Sequence, residues 1–127
     1  MAQIERPEYV KKLLRFKDKR VIKIVTGIRR CGKSTLFQLY QQELIKRGVL
    51  PECIQSINLE DPAYRALLDG EQLYDYINAR LKPDAKNYIF IDEIQNVQAF
   101  EKAADGLFIK YNVDLYLTGS NSRIQSG

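Results

Sequence analysis

Apolar and polar positions change period several times along the chain, and each change marks an element. Tyr9, Val10, Leu13, Leu14 and Phe16 recur at helical spacing behind Arg6-Pro7-Glu8, where Pro7 suits a first helical position, so residues 1–20 are predicted to carry an N-terminal helix. Val21-Ile22-Lys23-Ile24-Val25 is short, β-branched and almost continuously apolar, which predicts a strand buried on both faces of a parallel sheet. Leu36, Tyr40 and Leu44 then repeat at a spacing of four until Gly48 and Pro51 stop the pattern, predicting an amphipathic helix. A strand around Cys53 to Leu59, a helix around Glu71 to Leu81 and a turn at Lys82-Pro83-Asp84 follow. Tyr88-Ile89-Phe90-Ile91 reads as a third buried strand and Gln98 to Tyr111 as a helix despite Gly106. Asp114-Leu115-Tyr116-Leu117 reads as a fourth strand that runs into Thr118-Gly119-Ser120. Strands and helices alternate throughout, which predicts an α/β fold with a parallel sheet.

With 127 residues, 45% of them hydrophobic, the chain can bury one core but not two, so residues 1–127 are expected to form one domain. The chain stops at Ser126-Gly127, directly after a strand-end loop, where a domain of this kind is expected to continue into a further helix and strand. An N-terminal part of a longer protein is therefore expected. Cys31 and Cys53 lack metal-type spacing and suggest neither a disulfide framework nor a zinc site, which favours a reducing, cytoplasmic setting. No apolar run approaches the roughly 20 residues needed to cross a bilayer, and Glu5 and Glu8 make the start unlike a signal peptide, so no membrane insertion is expected. Histidine is absent, which removes histidine bases, histidine-bound metals and Ser-His-Asp or Cys-His arrangements. Hydrolytic chemistry would have to rest on carboxylates and bound metal.

Between the first strand and the first long helix, Gly27-Ile28-Arg29-Arg30-Cys31-Gly32-Lys33-Ser34 satisfies G-x-x-x-x-G-K-[ST] at every fixed position. Glycines let backbone N–H groups turn inward around phosphate oxygens, and a helix N-terminus adds the positive end of its dipole. The segment from Gly27 through Thr35 is thus the expected phosphate cradle. Lys33 would reach the β- and γ-phosphates, and the Ser34 hydroxyl would ligate Mg²⁺. Arg29 and Arg30 could touch phosphate, face a partner or stay solvated, and Cys31 reads as a small loop residue rather than a nucleophile. Those two arginines contribute to a formal charge of +4, which permits a nucleic-acid partner without requiring one.

The third strand ends in Asp92-Glu93, placing two carboxylates at the C-terminal edge of a parallel sheet, where ligands bind. Asp92 is the expected second metal residue, opposite Ser34, and Glu93 the group that orients or deprotonates an attacking water. Neither the Asp-x-x-Gly nor the Asn-Lys-x-Asp signature of small GTPases is present. Asn58, at the end of the second strand, either caps the Asn58-Leu59-Glu60-Asp61-Pro62 turn or, as resemblance to AAA+ proteins implies for an asparagine there, restrains the catalytic glutamate. The loop after the fourth strand offers Ser120, Asn121 and Ser122 as sensors of the γ-phosphate, the choice among them open, with Asn121 counted among the catalytic candidates beside Glu93 and Lys33.

The segments Arg6-Pro7-Glu8-Tyr9, GIRRCGKSTL, INLEDP, YIFIDEIQNV, FEKAADGL and LYLTGSNSR, in this order, resemble the N-terminal AAA domain of a large family of bacterial and archaeal ATPases. The family's G-x-R-R-x-G-K-S and D-E-I-Q motifs fall on Gly27, Arg29, Arg30, Gly32, Lys33, Ser34, Asp92, Glu93 and Gln95. The resemblance implies a three-layer α/β/α P-loop NTPase core, residues 21–127, in which the fourth strand separates the P-loop strand from the strand ending in Asp92. It implies ATP and Mg²⁺ as cofactors and ATP hydrolysis driving a conformational change. It also implies self-association of the whole protein and an arginine-bearing segment beyond Gly127, so that residues 1–127 alone should hydrolyse ATP weakly or not at all. DNA or protein partners are compatible with it. A nucleotide-dependent switch with negligible hydrolysis and a P-loop kinase remain the alternatives.

Overall fold

The computed structural model describes residues 10–19, 21–25 and 30–119, with the backbone alone for residues 30–34. Four parallel strands, β1 (Lys23–Val25), β2 (Ile54–Asn58), β3 (Asn87–Asp92) and β4 (Val113–Thr118), form one sheet in the order β1-β4-β3-β2. The β4 strand thus lies between β1 and β3, as the resemblance implied. Helices α1 (residues 10–15) and α2 (Arg30–Lys46) cover one face, and α3 (Gly70–Ala79) and α4 (Phe100–Phe108) cover the other.

Every residue of β3 and β4 is buried, which is what continuous apolar runs in central strands require. Alternate side chains go to opposite layers. Tyr88, Phe90 and Tyr116 pack with Leu13, Leu36, Phe37, Tyr40 and Leu44, while Ile89, Ile91, Leu115 and Leu117 pack with Leu73, Ile77, Ala103 and Leu107. On the α2 side the aromatics interlock: Phe90 stacks on Tyr116 with centroids 4.7 Å apart, and Phe37 meets Phe90 edge-on at 5.1 Å.

Elements differ from expectation at their ends. The first strand covers only Lys23–Val25, and Ile24 is 44% exposed rather than buried on both faces. Among the described strands β1 is an outer one, paired only with β4, and the α3 and α4 cluster lies over β2 to β4. The fourth helix stops at Phe108, leaving Ile109 and Tyr111 exposed. Gly106 is tolerated inside it because a Cβ there would meet the Tyr74 ring at 3.0 Å, so the glycine lets α3 and α4 approach. A 3₁₀ segment, Pro62–Leu67, was not foreseen; the Asp61 carboxylate accepts the Ala63 N–H and starts it.

A charged pair lies at the N-terminal half of the sheet, beneath α1 and α2. Lys23 binds the Asp114 carboxylate, and both side chains are almost fully buried. The pair is compensated by further bonds: Lys23 Nζ also donates to Lys19 O at 3.0 Å, and Asp114 Oδ2 accepts the Asp18 N–H and the Tyr116 hydroxyl, each at 2.8 Å. Since Tyr116 spends its one proton on Asp114, the Tyr40 hydroxyl, 2.6 Å away, must donate to it. Burial pushes the Tyr40, Tyr88 and Tyr116 phenols up, so all three stay neutral donors.

Candidate functional site

The C-terminal ends of the strands come level at one edge of the sheet. Asn58 stands opposite Asp92, Ile91 opposite Leu117, and Thr118 opposite Val25, so Asn58, Asp92, Thr118 and Val25 form a row. Asp92 follows Tyr88 and Phe90 on alternate positions, and Thr118 follows Asp114 and Tyr116. Both therefore project toward the α2 layer.

The four residues 26–29 lie outside the description, but five Cα steps from Val25 to Arg30 reach at most about 18 Å. The start of α2 must accordingly stay near the C-terminal end of β1. Phe37 gives its direction along the sheet. Lys33 is one helical turn before Phe37, about 6 Å along the axis, and Asp92 is two strand residues beyond Phe90, about 6.6 Å. With helix and strand running in opposite senses, the N-terminal turns of α2 lie toward the Asp92 end of the sheet.

Asp92 is 8% exposed. Its Oδ1 accepts the Thr118 hydroxyl at 3.0 Å, and its backbone carbonyl accepts Leu59 N–H at 3.1 Å, tying it to both neighbouring strands. Glu93 ends the strand in the left-handed region, φ 62° and ψ 51°, a conformation that costs a residue with a Cβ on the order of 1–2 kcal/mol. Ile94, 1% exposed, and Val97, 3% exposed, anchor the following turn in the core and hold that conformation in place. Glu93 N–H donates to Thr118 Oγ1 at 3.0 Å, and Gln95 Nε2 donates to Glu93 Oε1 at 2.8 Å.

The expected residues divide by position. Asp92, Glu93 and Gln95 lie together at the end of β3. Gly27, Ile28 and Arg29 lie outside the described residues, as do Ser120, Asn121 and Ser122, and the side chains of Arg30, Cys31, Gly32, Lys33 and Ser34 are not described either. Their backbone forms the first turns of α2, followed by half-buried Thr35. The Asn58 side chain takes the capping role: its Oδ1 accepts Glu60 N–H at 3.0 Å, and its carbonyl accepts Asp61 N–H. Thr118 was missed. As the last residue of an apolar strand it reads as a β-branched core residue, and only the β3–β4 register reveals its partners.

The donors suit a hard cation. A buried carboxylate with a hydroxyl neighbour, and a second carboxylate one residue on, are oxygen ligands of the kind Mg²⁺ takes while keeping several waters. Among the described residues no group of three or more His, Cys, Asp or Glu could hold a metal by itself. Cys53 is a free, buried thiol. No helix among the described residues is long and apolar enough to cross a membrane.

A family model described as an AAA domain matches residues 19–127. An uncharacterised protein of Haemophilus influenzae is 35% identical over 127 residues, which cover 99% of this chain and 32% of that protein. The chain thus spans less than two thirds of this relative's length. Among solved structures, one of Drosophila ORC bound to DNA superposes with a TM-score of 0.61 at 14% identity, covering 94% of this chain and 78% of that one. At that identity the likeness speaks for the fold, a P-loop NTPase-like α/β core.

Proposed function

We propose, on the premise that this chain belongs to the AAA domain family, that it holds ATP with Mg²⁺ at the C-terminal edge of its sheet and that the protein containing it hydrolyses ATP to ADP and phosphate to drive a conformational change. The observation that carries this reading is the Asp92, Thr118 and Glu93 cluster at the C-terminal edge of the sheet, with Asp92 and Thr118 on the face that α2 covers. In this reading Gly27 to Thr35 wrap the phosphates, Lys33 neutralises the β- and γ-phosphates, and Ser34 and Asp92 hold the Mg²⁺ shell. Bound Mg²⁺ would supply neutralisation of phosphate charge. Glu93, one residue past the metal carboxylate, orients the water and accepts its proton.

The test is Glu93→Gln in the full-length protein. ATP binding should persist while turnover falls about 10²–10⁴-fold, the usual contribution of a general base. Turnover equal to wild type would remove Glu93 from the role. Self-association belongs to the same proposal, since it would let one copy bring an arginine to its neighbour's γ-phosphate. Sedimentation with and without ATP reads it out.

One observation favours a second reading, an ATP-dependent switch that hardly hydrolyses: one oxygen of Glu93 is already engaged by Gln95. Nucleotide-dependent partner binding without partner-stimulated phosphate release would favour it.

A further inference from the structure

Thr118 sits where three strands meet. Its backbone pairs with Val25 of β1, the following Gly119 N–H donates to Val25 O at 3.3 Å, and its side chain crosses to the end of β3. It is 0% exposed. The hydroxyl has one proton and gives it to Asp92 Oδ1 at 3.0 Å, so toward Glu93 it can only accept, and it accepts the Glu93 N–H at 3.0 Å. The bonds therefore run one way, from Glu93 N–H through the Thr118 hydroxyl to the Asp92 carboxylate. Strand pairing between β3 and β4 ends at Ile91 and Leu117. One step beyond it, a side chain takes over the work of the ladder.

We infer that Thr118 is a positioning residue that sets the orientation of the Asp92 carboxylate toward Mg²⁺ and couples it to the left-handed backbone of Glu93. The inference rests on the reading of Asp92 and Glu93 given above. Two consequences follow from the geometry. Engaging Oδ1 fixes the carboxylate plane and so directs Oδ2, and holding the Glu93 N–H fixes where the next side chain leaves the strand. In a buried site each of these bonds is stronger than in water, and bonds in a chain polarise one another. Neither effect requires Thr118 to touch nucleotide, which separates it from the Ser120, Asn121 and Ser122 candidates.

The test compares Thr118→Val, which keeps the shape and loses the hydroxyl, with Thr118→Ser, which keeps the hydroxyl, in the full-length protein. The first readout is the Mg²⁺ concentration that half-saturates tight binding of a fluorescent non-hydrolysable ATP analogue, a measurement independent of turnover. Thr118→Val should raise it about 5- to 10-fold and lower kcat about 10-fold with KM within 3-fold, while Thr118→Ser stays within 2-fold of wild type, as expected for loss of one hydrogen bond of ordinary net strength. Unchanged Mg²⁺ dependence in folded Thr118→Val overturns the inference. Equal impairment of the two variants also overturns it, because the methyl group would then carry the effect. If Thr118→Val does not fold, Thr118→Ser against Thr118→Ala decides in the same way, a matched pair of Mg²⁺ titrations being the overturning result. Failure of the hydrolysis reading shows separately, as Glu93→Gln turnover equal to wild type, and leaves the Mg²⁺ titration standing.

Discussion

Gln95 Nε2 donates to Glu93 Oε1 at 2.8 Å across the turn that ends β3. Both side chains are half-buried and the turn between them is pinned by Ile94. The amide thus selects one rotamer of the carboxylate. Gln95→Ala is expected to reduce kcat about 3- to 10-fold with KM unchanged, the pattern of lost orientation in the transition state rather than lost substrate binding. Steady-state kinetics of the full-length variant provide the check. A rise in turnover would instead make Gln95 a restraint on an inactive glutamate.

Asn58 behaves as a turn residue. Its side-chain oxygen is engaged by Glu60 N–H, so Asn58→Ala should cost about 0.5–1.5 kcal/mol of stability, one ordinary hydrogen bond, and leave basal ATP turnover within 2-fold. Urea denaturation and an ATPase assay on the same preparation measure the two quantities. A large gain in basal turnover would revive the restraining role for Asn58.

The buried Lys23 and Asp114 pair contributes by being complete. Asp114→Asn leaves the Lys23 ammonium in a site with 3% side-chain exposure and should destabilise the fold by about 3–5 kcal/mol, whereas Lys23→Met combined with Asp114→Asn should recover a large part of that loss. Equilibrium denaturation of the single and double variants closes the cycle. Additive losses would show that the two charges do not depend on each other.

The central strands and α2 were legible because burial imposes a period that sequence displays directly: β3 and β4 as unbroken apolar runs, α2 as Leu36, Tyr40 and Leu44. The place of Asp92 and Glu93 at the end of β3 was legible for a related reason, since the apolar run stops at these two acids. Contacts set by pairing were not. The partners of Thr118 depend on the β3–β4 register, and the burial of Lys23 depends on Asp114 arriving from 91 residues away, which makes a strand lysine look like a solvated one until the sheet is assembled. For Asn58 the local turn alternative was visible in Asn58-Leu59-Glu60-Asp61-Pro62. Only coordinates separate it from a contact across the sheet edge.

The left-handed conformation of Glu93 has a further meaning for how the domain can change. Glycine adopts that backbone freely and asparagine more readily than most residues, so the fold taken by itself would gain from either at position 93. Selection for a sturdier domain and retention of a carboxylate at this spot therefore pull in opposite directions. Under the proposed hydrolytic role of Glu93, a descendant freed from that role should surrender the carboxylate early, keeping the sheet and the turn beside it intact.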